Sequence, residues 1–393
     1  MAWLGIGMSV LALLSALLIE SALGVVVPMA TIAVATGALA VVLSFFLRRT
    51  VLRGLLATIT MVAIGIALYQ QYVRISCTDT GFANGAVTLA GTVCSPRSRQ
   101  ASPAVIFVHG SGRATRSESL FFARYFSRRG FVTLAYDKRG AGESSGNTYD
   151  TDYSGYADDA AAGIAMLRQR SDVVDDRIFV MGFSEAEWVA IQLPAKAGPL
   201  RGIVLVGASG LSPLQQVNEE IALRLEDAAH TEDDIKRAIQ TNDRYHAYLR
   251  GELDAATVEA ELREVSSKDW FTGAQDLHAE VYPREEFAWW RGVMDFEPAP
   301  FWRNLGTPVL LLKGADDKHS DAQESVERMT QLAAVGGGKS DLDVRVFPNA
   351  DHMLLVWPLG EQVPPPMFAE DYLQSVSAWL REQTFTTAIA RTR

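Results

Sequence analysis

Three long uncharged runs open the chain, at residues 2–19, 21–47 and 54–73. Each has the length of a membrane-spanning helix, because about 20 residues rising about 1.5 Å each cross the roughly 30 Å hydrocarbon core. The pattern predicts three transmembrane helices within residues 1–74, with two spans and a re-entrant or interfacial first segment as the alternative. A cleaved signal peptide fits the first run less well, since residues 1–10 contain no Lys or Arg. Glu20 is expected at the membrane surface between the first two runs.

Past residue 74 the periodicity changes. Between Cys77 and Cys94, the Asn84-Gly85 pair and the alternating apolar positions Val87, Leu89 and Val93 read as a β-hairpin. Short runs apolar on both faces follow at residues 104–108, 132–136, 178–181, 203–206, 309–312 and 344–347, the pattern of buried parallel strands. Amphipathic helices are predicted between or after them at 117–129, 155–170, 322–334 and 368–383. This alternation defines an α/β fold with helices on both faces of a mostly parallel sheet. It breaks once, over residues 211–305, which contain helical charge patterns and many aromatics but no convincing strand. A structureless loop of that length is improbable, so a helical cap insertion is expected there. The resulting organisation is a membrane region at 1–74, an α/β core at 75–210 and 306–393, and the cap at 211–305. Residues 386–393 read as a frayed tail.

Charge refines this picture. The first 74 residues carry a net +3 and the remainder −13 of the total −10. An acidic body argues against nucleic-acid binding, which needs a concentrated basic face. Arg48, Arg49 and Arg53 lie together between the second and third runs and should stay cytoplasmic, which places the residues after 73 outside the cytoplasm; Arg74 argues weakly the other way. Cys77 and Cys94 are the only cysteines, and a disulfide between them suits an extracytoplasmic hairpin. Asp316, Asp317, His319 and Asp321 cluster, but at no dedicated metal spacing, and no metal or cofactor is implied.

The candidate chemistry sits at strand ends, where an open parallel sheet gathers its ligand-binding loops. After 178–181 comes Gly182-Phe183-Ser184-Glu185-Ala186, a strand, a sharp turn and a helical run, which would hold the Ser184 hydroxyl at the tip of an elbow. Ala186 stands where Gly is usual. The strand at 104–108 runs into His109-Gly110-Ser111-Gly112, and the backbone N–H groups of Ser111 and Glu185 are expected to form an oxyanion hole. The later strands run into Asp316-Asp317 and Asp351-His352. The chain order is serine, acid, histidine: His352 would take the serine proton, and a carboxylate would hold its tautomer. His109 is expected to fix the oxyanion loop and Asp351 to shape a turn. His230, His246, His278 and His319 sit in no motif and are expected to be exposed or satisfied in the core.

These pieces, with "NGAVTLAGTVCSP", "HGSG", "YDKRGAGESSG" and "GFSEAEW", resemble the α/β-hydrolase superfamily over residues 81–382, in particular its serine aminopeptidase-like and dienelactone hydrolase-like esterases. The resemblance places the acid three residues after Gly314, favouring Asp317 over Asp316. It implies hydrolysis of a small acyl substrate (an ester, thioester or short amide) through a Ser184 acyl-enzyme, while the N-terminal apolar runs make the lipid bilayer the other expected partner. Where relatives more often read Gly-Gly, this chain has Ala186-Glu187. An exopeptidase is the rival enzyme, with Glu185 and Glu187 binding a free amino terminus; a non-catalytic binding protein on the same scaffold is the rival from another class. The cap aromatics, among them Trp270, Phe271, Trp289, Trp290 and Trp302, either line an acyl pocket or form the cap's own core.

Overall fold

The computed structural model describes residues 50–68, 75–98, 100–273, 277–278, 280–335, 341–358 and 366–385. Helix α1 (Thr50–Leu68) precedes a hairpin of β1 (Ile75–Asn84) and β2 (Val87–Pro96). The sheet continues with β3 (Ser102–Val108), β4 (Val132–Tyr136), β5 (Val173–Phe183), β6 (Gly202–Val206), β7 (Val309–Gly314) and β8 (Leu342–Phe347). Its spatial order is β1-β2-β4-β3-β5-β6-β7-β8. The first two pairings are antiparallel and the others parallel.

The hairpin turns where its sequence predicts. Asn84 pairs with Val87, leaving Gly85 and Ala86 as a two-residue loop, and Gly85 takes a positive φ of 59°. That register sets Cys77 opposite Cys94, and the two form the expected disulfide.

Strands β4, β6 and β7 are buried along their whole length, as runs apolar on both faces require. On β3, Ala104, Ile106 and Val108 face one core while Val105 and Phe107 face another. The first core is closed by α3 (Tyr153–Arg168), which follows α2 (Leu120–Ser127) in the chain, and by α4 (Ala186–Ala190); α5 (Leu193–Ala197) lies beside them. Helix α2 covers the opposite face with Phe122, Ala123 and Phe126. Each Phe so buried contributes about 1.5–3 kcal/mol.

Between β6 and β7 the chain forms six helices among the described residues: α6 (Pro213–Asp227), α7 (Glu232–Arg250), α8 (Ala255–Val265), α9 (Asp269–Gly273), α10 (Ala288–Val293) and α11 (Ala299–Trp302). Ser212 and Thr231 cap α6 and α7, and Glu232, Asp233 and Asp234 fill the first turn of α7, where the helix dipole favours acid. Leu214, Ile221, Leu225, Tyr245, Leu249, Leu262, Trp270 and Phe271 give this layer its own core, whereas Trp302 joins the core of the sheet. After β7 come α12 (Ala322–Val335) and, beyond a small pair of β9 (Leu355–Val356) and β10 (Met367–Phe368), α13 (Tyr372–Phe385), which packs Tyr372, Val376 and Trp379 under the sheet.

Several boundaries differ from expectation. The helix predicted at 117–129 is trimmed to α2, because a 3₁₀ turn capped by Thr115 takes Arg116–Glu118. The strand expected at 178–181 extends over 11 residues. Two-residue strands such as β9 and β10 are too short to show a period.

The apolar runs predicted as spans at 2–19 and 21–47 lie outside the described residues, as does the tail at 386–393. Of the third run, residues 54–68 lie within α1, and 69–73 lie outside the described residues. Among the described residues no helix is long and apolar enough to cross a membrane.

Candidate active site

Strand β5 ends at Phe183, and the next residue takes a left-handed backbone: Ser184 has φ +52°. An L-residue held there costs roughly 1–2 kcal/mol, and the surroundings fix it. The Ser184 N–H donates to the Val206 carbonyl at 2.8 Å, and its own carbonyl accepts from Glu187 N at 2.9 Å at the start of α4. Small residues let the turn close. A Cβ on Gly182 would come within 2.9 Å of the Ala186 methyl, so glycine at 182 makes room for alanine at 186.

Gly110 lets the loop after β3 approach this elbow, since a Cβ there would stand 3.2 Å from the Phe183 carbonyl and 3.5 Å from the Ser184 Cβ. His109 is buried and hydrogen-bonded to the Tyr136 carbonyl; burial lowers its pKa to about 4, so its imidazole is the neutral donor of that bond. Lys138 crosses beneath the loop and donates to the Gly110 carbonyl at 3.1 Å and to the Glu185 carboxylate at 2.6 Å. Burial pushes the Glu185 carboxyl up, opposed by Lys138 and Ser111.

The loops after β7 and β8 are stitched together by their backbones, Ala315 N donating to Phe347 O and Asp316 N to Ala350 O, both at 2.9 Å. His352 Nδ1 lies 2.8 Å from Asp317 Oδ2. Asp317 is buried and Asp316 exposed, so of the two carboxylates Asp317 is the one that contacts the imidazole. Two further donors reach Asp317: Lys313 Nζ to Oδ2 at 2.7 Å and His319 N to Oδ1 at 2.8 Å. Burial alone would raise this carboxyl, but the hydrogen bonds and charges of His352 and Lys313 outweigh it and hold it well below the carboxylate range. Asp351 shapes the turn, accepting from Met353 N, Leu355 N and Trp357 Nε1.

Ser184, His352, Ser111 and Glu185 line one cavity of about 620 Å³. Its floor is the sheet edge. The opposite wall comes from the helical layer, with Pro213, Gln216, Val217 and Glu220 of α6 and Trp289 and Trp290 of α10; Tyr149, Tyr153 and Trp188 complete an aromatic side. The cap aromatics thus divide: Trp289 and Trp290 face the cavity, while Trp270 and Phe271 are core.

Glu185 and Glu187, candidates for an amino-terminus site, both have partners inside the protein. Glu187 is buried and accepts from Ser209 N and Gly210 N at 2.7 Å each; burial raises its pKa to about 7 against those bonds and the Lys313 charge. His319, expected to be unremarkable, lies in the cavity, its ring centroid 4.3 Å from that of His352 and its Nδ1 2.9 Å from Glu220 Oε2. His246 is core-satisfied, between the Asn242 carbonyl and the Trp290 indole. Sequence reasoning also missed Lys138 and Lys313. A lysine closing an otherwise apolar strand, as in "VLLLKG", was the available signal, because a buried ammonium must find a carboxylate.

The model of the alpha/beta hydrolase family matches residues 105–362, about two thirds of the chain, and the chain belongs to that family. It is similar to esterase EstD of Thermotoga maritima, at 23% identity over 280 residues, which are 68% of this chain and 58% of that esterase. The chain therefore spans less than two thirds of the length of this relative. Among solved structures it is similar in fold to DcsB in complex with its substrate analogue, at 16% identity and a TM-score of 0.50, covering 79% of this chain and 100% of the other. An esterase of Pyrococcus furiosus matches at 15% identity and a TM-score of 0.47, covering 79% and 90%.

Proposed function

We propose that the protein is a serine carboxylic ester hydrolase, held at a membrane by its N-terminal apolar runs with the α/β domain outside the cytoplasm. The observation that carries this reading is the juxtaposition of Ser184 on its left-handed turn with the His352–Asp317 pair at the floor of one cavity. The likeness to EstD supports an ester over a peptide bond, as does the engagement of both carboxylates that an amino terminus would need.

In this mechanism the Ser184 Oγ attacks the acyl carbon while its proton passes to His352 Nε2. Backbone N–H groups of Ser111 and Glu185 stabilise the oxyanion, each donor contributing about 3 kcal/mol. Collapse expels the alcohol, which takes the proton from His352, and leaves an acyl-enzyme. Water, deprotonated by His352, then releases the acid and restores Ser184. The membrane part rests on the sequence hydropathy, and the extracytoplasmic side on the arginines at 48, 49 and 53 together with the disulfide.

Labelling with a fluorophosphonate probe tests the chemistry. Wild-type protein should react and Ser184→Ala should not, and p-nitrophenyl esters should be turned over with a kcat at least about 10⁴-fold above that of the variant. A folded wild type that neither labels nor hydrolyses any ester in a chain-length series sinks the reading. For topology, an impermeant thiol reagent added to intact cells after reduction should label Cys77; labelling only in lysed cells overturns the outward orientation.

A further inference from the structure

Lys313 is an unusual neighbour for a catalytic carboxylate. Its side chain and that of Asp317 are both fully buried. Its ammonium donates to Asp317 Oδ2 at 2.7 Å, the same oxygen that lies 2.8 Å from His352 Nδ1, and to Ser320 Oγ at 2.5 Å. The two nitrogens sharing that oxygen are therefore within about 5.5 Å of each other, and two charges at this range in a protein interior interact strongly. An aspartate paired with histidine alone gives its whole charge to the imidazolium; here the charge is divided between two cations.

We propose that Lys313 is a positioning residue that sets the working pH of the site. By sharing Asp317 it keeps His352 unprotonated, and so able to accept the Ser184 proton, in more acidic solution than the aspartate alone would allow. The catalytic half of this statement rests on the serine hydrolase reading; the electrostatic half does not.

The other charges around His352 have partners of their own. Across the ring stands His319, bonded to Glu220 of α6, which also pairs with Arg224. Glu185 beside the elbow pairs with Lys138, and Asp351 on the histidine's own loop is taken up by N–H donors. Glu187 of α4 is buried as well and is bound by Ser209 and Gly210, with the Lys313 charge among the smaller influences opposing its burial.

The test is a titration of the ring nitrogens of His352 by NMR, on the full chain in detergent labelled with ¹⁵N-histidine and assigned with His352→Gln. In Lys313→Met the midpoint should rise by at least about one pH unit, because removing a cation stabilises the imidazolium. An unchanged midpoint in the folded variant overturns the proposal and leaves Lys313 as a brace between Asp317 and Ser320. Should the single variant not fold, Lys313→Gln keeps a hydrogen-bond donor beside Asp317 without the charge. Its midpoint should rise likewise, and an unchanged or lowered midpoint overturns the proposal. The acid limb of kcat/KM for a p-nitrophenyl ester should move with the titration. Absence of turnover in the wild type would count against the hydrolase reading alone, because the titration remains readable.

Discussion

The sheet edge and the helical layer face each other across the cavity and are built in different ways. At the edge, Ser184, Asp317 and His352 sit on short loops whose backbones are tied to strand ends, with the lysine–carboxylate pairs of Lys138 and Lys313 buried behind them. In the layer, the cavity is lined by side chains projecting from helices, with Gln216, Val217 and Glu220 following one another along a face of α6. The edge is stiff because moving any loop breaks backbone bonds or strands a buried charge. The layer can change what it admits by exchanging side chains. On the serine hydrolase reading, chemistry and selectivity are therefore separable.

That separation can be broken from the edge side. Lys138→Met would leave Glu185 buried without its ammonium, and removing one partner of a buried pair costs about 3–5 kcal/mol. Thermal or urea unfolding should show this loss. A loss under 1 kcal/mol would mean that the elbow does not depend on the charge behind it.

From the layer side a smaller and different effect is expected. Trp289→Ala should lower kcat/KM for a bulky ester about 10-fold, mainly through KM, while leaving the fluorophosphonate reaction nearly unchanged. A drop confined to kcat would show that the layer takes part in the chemistry.

The smallest effect concerns the tie between the two regions, His319 to Glu220. The hydrogen bond to Glu220 raises the His319 pKa against the effect of burial. Burial raises Glu220 too, but His319 and Arg224 outweigh it and hold that carboxyl low. The protonated ring is the tied form, so the contribution of His319 is complete below the ordinary histidine value and fades as pH rises through the elevated one. On the acid side, the contribution of Glu220 is present above the ordinary carboxylate value and fades as pH falls through the depressed one. Since His319 is 40% exposed, solvent screening keeps the effect modest. Hydrogen exchange in α6, corrected for intrinsic rates, should quicken above the His319 titration in the wild type but not in His319→Gln; equal behaviour of the two would remove the tie.

The same contrast explains what the sequence disclosed. The strands at 104–108 and 309–312, the Gly182–Ala186 turn and the residue order at the strand ends were legible because backbone geometry restricts which residues can stand there. Asn84-Gly85 announced the hairpin for the same reason. His319 and Glu220 were not legible: they lie 99 residues apart in the chain and meet only through the packing of α6 over the loop after β7. The division of the aromatics was equally hidden, since Trp289 faces the cavity and Trp270 the core although both lie in similar polar surroundings.

The hairpin that follows the N-terminal region has a mechanical consequence. A force applied to the start of β1 would ordinarily unzip a hairpin one residue pair at a time. The covalent link occurs at the third pair, Cys77 with Cys94, so peeling stops after Ile75 and Ser76. Beyond that point the load passes to β2, whose residues 91–94 are paired with β4 in the interior of the sheet. A load entering at the start of β1 is thereby carried as shear on several hydrogen bonds at once, and the loops bearing Ser184 and His352 are shielded from it.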